Sequence, residues 1–167
     1  MKLLILIDFI EDSFFYKYIK TSNYIDYFNN KKKNILKTLQ YCKDNNIDIM
    51  ISNYISECKL NEIINENKIE YKYDLKHYPD FNLYDTILFC GSSLDQCLTM
   101  TRPLSYLNFK HKNKILIVDS SILLDDKHWY PLYKYNSLNI ENIEQYTYIF
   151  LKQKKISYIE SISEITN

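Results

Sequence analysis

Residues 84–101 read YDTILFCGSSLDQCLTMT, and this stretch decides the fold class. Its apolar residues predict a buried strand over 85–90, its Gly-Ser-Ser predicts a turn at 91–93, and a helix is predicted to follow over 94–109. Gly91 is the only glycine in the chain. Glycine is needed where a side chain would forbid a backbone angle or a close approach, although any tight turn also favours it. The stretch therefore predicts one strand–turn–helix unit of an open α/β sheet.

The same alternation of strands and helices continues on both sides of this unit. Continuous apolar runs predict buried strands of a parallel sheet, and apolar residues at helical spacing predict the helices between them. The further strands are predicted at 3–9, 47–51, 69–75, 115–118 and 156–159, the further helices at 29–46, 60–64 and 140–155, a loop at 119–131 and a final turn at 161–165. No linker or repeat interrupts the pattern. We therefore expect a single domain over residues 1–167, with a mostly parallel sheet of five or six strands and helices on both faces.

Charge and composition argue against several classes of partner. The 21 acidic and 21 basic residues cancel, so no overall field attracts nucleic acid or an anionic membrane. The three lysines at 31–33 are interpreted as a solvated helix start. No apolar run is long enough for a signal peptide or a membrane span, which predicts a cytoplasmic protein. A net charge of zero gives little repulsion between copies, and a homo-oligomer is therefore expected.

The cysteines are expected to be reduced in the cytoplasm. They form no CxxC pair, so neither a zinc knuckle nor a thioredoxin-type motif is predicted. The four positions are Cys42, Cys58, Cys90 and Cys97.

Candidate functional residues follow the predicted strands, because sites of open α/β sheets lie beyond the carboxyl ends of the strands. Asp8, Gly91 and Asp119 each end a predicted strand. Asp8 is a catalytic carboxylate, or alternatively a cap or half of a structural salt bridge. Cys97 lies near the start of the predicted helix, where a thiolate is stabilised, although a packed apolar cysteine fits the same position. The residues alone leave both alternatives open.

Four segments together resemble the isochorismatase-like cysteine hydrolases. They are LLILIDFIEDSF at 3–14, the stretch at 84–101, KILIVDSS at 114–121 and KKISYIESISEI at 154–165. The first resembles the opening strand of that family with its Asp, and the second resembles the family signature, with Gly91, Cys97 and Thr101 in the matching places. The resemblance covers nearly the whole chain in order, and it implies a Rossmann-like three-layer sandwich.

The resemblance also implies a triad of Asp, Lys and Cys that hydrolyses a C–N amide or carbamoyl-type bond of a small molecule. Cys97 would be the nucleophile, Asp8 the base, and backbone N–H groups around Gln96 and Cys97 the oxyanion hole. Lys72 is the predicted lysine of the triad, with Lys76 as the next choice. Arg102 would meet a substrate carboxylate or reach solvent, and Pro103 after it should kink the helix.

Nicotinamidases of this family carry an Asp/His metal site after the second strand. Here that stretch reads IMISNYIS at 49–56, and the chain's histidines at 77, 111 and 128 have no ligand spacing. We therefore expect no metal and no cofactor, which disfavours a nicotinamidase.

Two other functions compete with the hydrolase. One is a catalytically inactive module of the same fold that serves binding or assembly in a viral or larger complex, and the 17 tyrosines suit such an interface. The other is a flavodoxin-like nucleotide or flavin binder, although the first strand is not followed by a Gly-rich phosphate loop.

Overall fold

A computed structural model describes residues 1–8, 22–53, 64–92, 94, 97–122 and 140–165, with only the backbone described for 22–25 and 140–143. The elements with described bounds are strands β1 to β5, helices α1 and α2, two 3₁₀ turns and a short π-helical turn, and residues 64–66 are helical as well. The strands are β1 (Lys2–Ile7), β2 (Asp48–Ser52), β3 (Thr86–Ser92), β4 (Lys114–Ile122) and β5 (Tyr158–Ile159); the helices are α1 (Ser22–Asp44) and α2 (Ile140–Gln153); the turns are Phe81–Leu83, Cys97–Thr101 and Ile162–Glu164.

The five strands form one parallel sheet in the order β2-β1-β3-β4-β5. The predicted α/β class and the parallel sheet are confirmed. The predicted strand at 69–75 is reduced to a single bridge between Tyr73 and Met50 beyond the β2 edge. Its early end has a local cause, because the Asp74 carboxylate accepts the backbone N–H groups of Lys76 and His77 and turns the chain.

Strand β1 is the centre of the sheet and has the sequence pattern of a doubly covered strand. Its residues from Leu3 to Ile7 are fully buried, and it pairs with β2 on one side and β3 on the other. The strand was predicted to run to residue 9, but it ends at Ile7. Asp8 after it has a φ of 37°, which is rare for a non-glycine residue and ends the extended conformation.

Helix α1 packs its apolar stripe of Ile35, Leu39 and Cys42 against the sheet. It begins at Ser22, seven residues before the predicted start, and it ends at Asp44, two residues before the predicted end. Asn46 has a φ of 55°, and the N–H of Ile47 reaches back to the carbonyl of Cys42, which closes the helix. The predicted helix at 140–155 is confirmed as α2. Most of the predicted helix at 60–64 lies outside the described residues.

The segment after β3 differs most from its prediction. Gly91 and Ser92 belong to β3 rather than to a turn, and the helix predicted over 94–109 is replaced by the π-helical turn and a folded-back loop. In this loop the N–H of Tyr106 reaches the carbonyl of Leu98. Pro103 is the physical reason, since it has no N–H for a helical bond and its ring clashes with the preceding turn.

The folded-back loop covers the sheet through its aromatic residues. The ring of Phe89 in β3 makes edge contacts with Tyr106 and Phe109, at centroid distances of 5.6 and 5.8 Å.

Strand β4 is longer than predicted, because residues 119–122 continue it. The rest of the predicted loop at 119–131 falls outside the described part of the chain. Within that part, none of the helices combines the length and apolar character needed to cross a membrane.

Candidate functional site

The carboxyl end of β1 lies at the point where the strand order reverses, which is where ligands bind in open α/β sheets. Asp8 stands there, fully buried. Its N–H donates to the carbonyl of Ser52 at 3.1 Å, and its own carbonyl accepts the N–H of Ser92 at 3.1 Å and the Ser92 hydroxyl at 3.3 Å. Backbone bonds to both neighbouring strands therefore fix Asp8 in place.

Gly91 makes this arrangement possible. Its φ is 116°, and a Cβ built on it would stand 2.0 Å from the carbonyl oxygen of Ile7 and 2.9 Å from that of Asp8. Both reasons considered for the only glycine apply, the backbone angle and the close approach. Gly91 therefore has a structural task, which is to let β3 pass closely beside the end of β1.

Buried hydroxyl groups line the same edge of the sheet beside Asp8. Ser52 ends β2, Ser92 ends β3, and Ser121 pairs with Gly91 near the end of β4. All three serines are buried, and the Ser52 hydroxyl has no hydrogen-bond partner among the described residues. Sequence reasoning missed Ser52, although a serine that closes an apolar run at the end of a predicted parallel strand was the available signal.

Cys97 opens the π-helical turn after β3 and is buried, with 7% of its surface exposed. It begins a turn of five residues rather than the long helix that was predicted. Two other cysteines have strongly altered acidity. Burial raises the pKa of Cys42 to about 12, and burial also raises the pKa of Cys90 well above its usual range. Cys58 and Gln96 lie outside the described residues.

The structure does not bring Lys72 together with Asp8, and this corrects the predicted triad. Nζ of Lys72 lies 2.9 Å from Oδ2 of Asp48, the first residue of β2. Ser52, which hydrogen-bonds to Asp8, is four residues further along that strand, roughly 13 Å away at about 3.3 Å per residue. Lys72 therefore lies at the amino edge of the sheet. The prediction for Lys72 required a strand over 69–75, and this segment forms only a single bridge.

A network at the amino edge explains where Lys72 lies. The hydroxyl of Tyr84 donates to Oδ2 of Asp48 at 2.6 Å and lies 3.2 Å from the hydroxyl of Tyr73. The hydrogen bond to Asp48 raises the pKa of Lys72.

Lys76, the second choice for the triad, is exposed in the Asp74 turn. Arg102 is half-buried, and its carbonyl accepts the N–H of Ser105.

The first lysine of the 31–33 run is less exposed than expected, whereas Lys33 is exposed. Lys31 is half-buried: its Nζ donates to the carbonyl of Val118 at 2.8 Å, and it lines a cavity of about 170 Å³ between α1, α2 and the end of β4. Burial lowers the pKa of Lys31 to about 8, against the attraction of three nearby carboxylates, those of Asp119, Glu144 and Glu160. We call this space the Lys31 cavity.

No group of three or more potential metal-ligating side chains is found in the part of the chain that the structure describes.

Comparison with known proteins names no family for the chain. No family model matches it, and no solved structure matches it. A protein of Plasmodium falciparum (isolate 3D7), which carries no functional name, is 28% identical over 157 residues. The match covers 89% of this chain but only 3% of that protein, so the chain spans a small fraction of the relative's length. The fold and the site geometry are therefore the basis on which function can be argued.

Proposed function

We propose that the chain is an isochorismatase-like hydrolase that cleaves a C–N bond of a small amide or carbamoyl-type substrate. The observation that carries the proposal is the position of Asp8, a fully buried carboxylate at the reversal of strand order. A carboxylic group is costly to bury in an apolar core unless a function or a partner retains it. The Cys97 turn follows directly from the strand that holds Asp8 in place.

In this proposal Asp8 accepts the proton of the Cys97 thiol as the sulfur attacks the carbonyl carbon. The C–N bond then breaks, and the same proton passes to the leaving amine. Water, activated by the Asp8 carboxylate, hydrolyses the remaining thioester and restores the thiol. Backbone N–H groups near Cys97 would bind the oxyanion of each tetrahedral intermediate.

An inactive binding or assembly module is the second candidate, and the position of Lys72 favours it. The resemblance implies a lysine that balances the charges of Asp and Cys, but Lys72 is paired with Asp48 at the opposite edge of the sheet. A thiolate beside an unbalanced Asp8 carboxylate would be disfavoured by repulsion between like charges. The module would keep the fold and lose the reactive thiol.

Thiol labelling distinguishes these two functions. In the hydrolase, brief treatment with iodoacetamide near neutral pH followed by peptide mapping should modify Cys97 first, because Asp8 helps to remove its proton. Cys42 and Cys90 should remain unmodified, since burial raises the pKa of both. Asp8→Asn should slow labelling at Cys97 by roughly tenfold or more.

Hydrolysis of a panel of amides, ureas and N-carbamoyl compounds tests the activity directly. Cys97→Ala should abolish release of amine or ammonia, whereas Cys42→Ala, a matched change at another buried cysteine, should leave it intact. Faster labelling of Cys58 than of Cys97, together with no hydrolysis of any compound, would establish the module instead.

A further inference from the structure

The Lys31 cavity is lined by residues other than Asp8 and the buried serines beside it. Its walls come from α1, α2, the outer part of β4 and the residue that follows β5. They consist of Tyr27, Asn30, Lys31, Asn34, Val118, Asp119, Glu144, Thr147, Tyr148 and Glu160. At about 170 Å³ the cavity accommodates a small organic molecule rather than a nucleotide.

An irregularity of β4 explains why Lys31 lies in this cavity. The register between β3 and β4 jumps from Phe89–Leu116 to Gly91–Ser121, so one residue of β3 lies opposite four residues of β4, at 117–120. The looped-out carbonyls of β4 need other donors. Lys31 supplies one to Val118, and the Asn34 amide supplies one to Asp119 at 3.2 Å.

The hydrogen bond to the Val118 carbonyl holds the amine in position and leaves its nitrogen able to react. A neutral lysine amine that donates one N–H keeps a second N–H and its lone pair. Nζ also lies 5.4 Å from the centre of the Tyr27 ring. Lys31 is therefore an amine fixed in position on the wall of an open cavity.

The charges around Lys31 select the kind of molecule that could enter. Three carboxylates lie near the amine, from Asp119 on β4, Glu144 on α2 and Glu160 after β5. They outweigh the single ammonium, so an anion would be repelled. A cation formed on Nζ would be stabilised.

We propose that the Lys31 cavity is a second binding site, which takes a small uncharged aldehyde or ketone and holds it as an imine on Nζ of Lys31. The nitrogen lone pair forms a bond to the carbonyl carbon, and the carbonyl oxygen takes up one proton from the amine nitrogen and a second from solvent. The oxygen then leaves as water, which breaks the C–O bond and gives a positively charged iminium; addition of water reverses the step and releases the proton. The step needs no oxidant or reductant.

The altered acidity of Lys31 supports this geometry. With a pKa of about 8, roughly one amine in ten is neutral at pH 7, whereas an ordinary lysine is neutral far less often. We therefore expect Lys31 to react roughly ten times faster than Lys33, which is exposed two residues along the same helix.

Reductive trapping tests the proposal. The full chain is incubated with propanal and sodium cyanoborohydride near neutral pH, and fragment spectra of the digested peptides assign propyl groups to Lys31 or Lys33. The expected result is preferential modification of Lys31, a preference that disappears in urea. Equal modification of the two lysines in the folded protein, or the same preference in urea, overturns the proposal.

Two further comparisons test the chemistry of the site. Glyoxylate, an anionic aldehyde, should label Lys31 at least several-fold more slowly than propanal; equal rates overturn the assignment of an uncharged ligand. Lys31→Arg keeps a cation and a donor for Val118, so this variant should keep the urea midpoint of the parent and lose the fast labelling. Fast labelling that persists at another lysine of this variant overturns the assignment to Lys31.

Discussion

At the scale of single residues, Asp8 and Gly91 depend on each other. Asp8 leaves the extended conformation, and Gly91 brings β3 close enough for Ser92 to hydrogen-bond to the Asp8 carbonyl. The sequence marked both residues, because an acidic residue after an apolar run and a single glycine are visible as exceptions. It could not show that they touch, since contact depends on how closely two strands approach.

Gly91→Ala should destabilise the fold by about 3 kcal/mol or more, because it combines a strained backbone with a collision against the Ile7 carbonyl. Urea unfolding followed by circular dichroism measures the change. Ser157→Ala, at an exposed position, should stay within about 0.5 kcal/mol of the parent. A Gly91→Ala protein with an unchanged urea midpoint would contradict the close approach.

Lys72 shows where residue-level prediction fails. Its assignment to the triad depended on the resemblance and on a predicted strand at 69–75. Only Tyr73 forms a bridge, and Asp48 and Tyr84 provide a local network in which the lysine finds its partner. A side chain at the end of a long flexible stem follows such partners, which sequence alternation does not reveal.

At the scale of elements, α1 and β4 form a unit that the sequence only half revealed. The apolar stripe of α1 predicted the helix correctly, and its polar residues were assigned to solvent. Lys31 and Asn34 instead supply hydrogen bonds to the irregular part of β4, and the Thr38 hydroxyl meets that of Ser120 at 2.7 Å. The register shift leaves carbonyl groups of β4 that need hydrogen-bond donors. The sequence of the strand contains no pattern that predicts this shift.

This unit has a pH dependence of defined sign. The pKa of Lys31 is about 8 in the folded protein and 10.5 ordinarily, so between these values the unfolded chain binds more protons. The Lys31 contribution to the free energy of unfolding should therefore rise with pH across this window. Urea titration at several pH values measures the free energy of unfolding of the parent and of Lys31→Met. As the pH rises, the parent should become more stable relative to the variant. A difference that stays constant from about pH 8 to 10 would contradict the burial of this amine.

The helix predicted over 94–109 is wrong for a reason of the same kind. Its apolar residues are buried in the folded-back loop as well as they would be on the apolar face of a helix. Pro103 was expected to kink the helix but ends regular structure altogether. The loop is closed by backbone hydrogen bonds between residues eight apart, such as the one from the N–H of Tyr106 to the carbonyl of Leu98. The spacing of apolar residues in the sequence does not indicate such bonds.

At the scale of the whole molecule, the two edges of the sheet have different tasks. The carboxyl edge holds Asp8 and the buried serines, and the amino edge holds the network of Asp48, Tyr84 and Lys72. The class of fold followed from the alternation of apolar strands and helices, which depends on many residues and tolerates local errors. The candidate site depends on a few contacts, and for that reason the sequence marked Asp8 and Gly91 but missed Ser52 and misplaced Lys72.

The separation of the edges predicts that stability and thiol reactivity can be changed independently. Tyr84→Phe removes a nearly buried hydroxyl from Asp48 and should cost about 1 kcal/mol in the free energy of unfolding. Lys72→Met should leave the rate of iodoacetamide labelling at Cys97 unchanged. Asp8→Asn provides the contrast at the other edge. If iodoacetamide labels Cys97 more slowly in the Lys72→Met variant, Lys72 acts on the site after all.

The central position of β1 has a consequence for how the chain reaches its fold. Leu3 pairs with Asp48 in β2 and with Ile87 in β3, partners that are 45 and 84 residues away along the chain. Neither pairing can form before a long loop has closed, so the contact order is high. We expect refolding on a scale of roughly milliseconds to seconds rather than microseconds. Until β3 arrives, the most apolar strand of the protein has an unpaired edge, and during that interval chains at high concentration are most prone to aggregate.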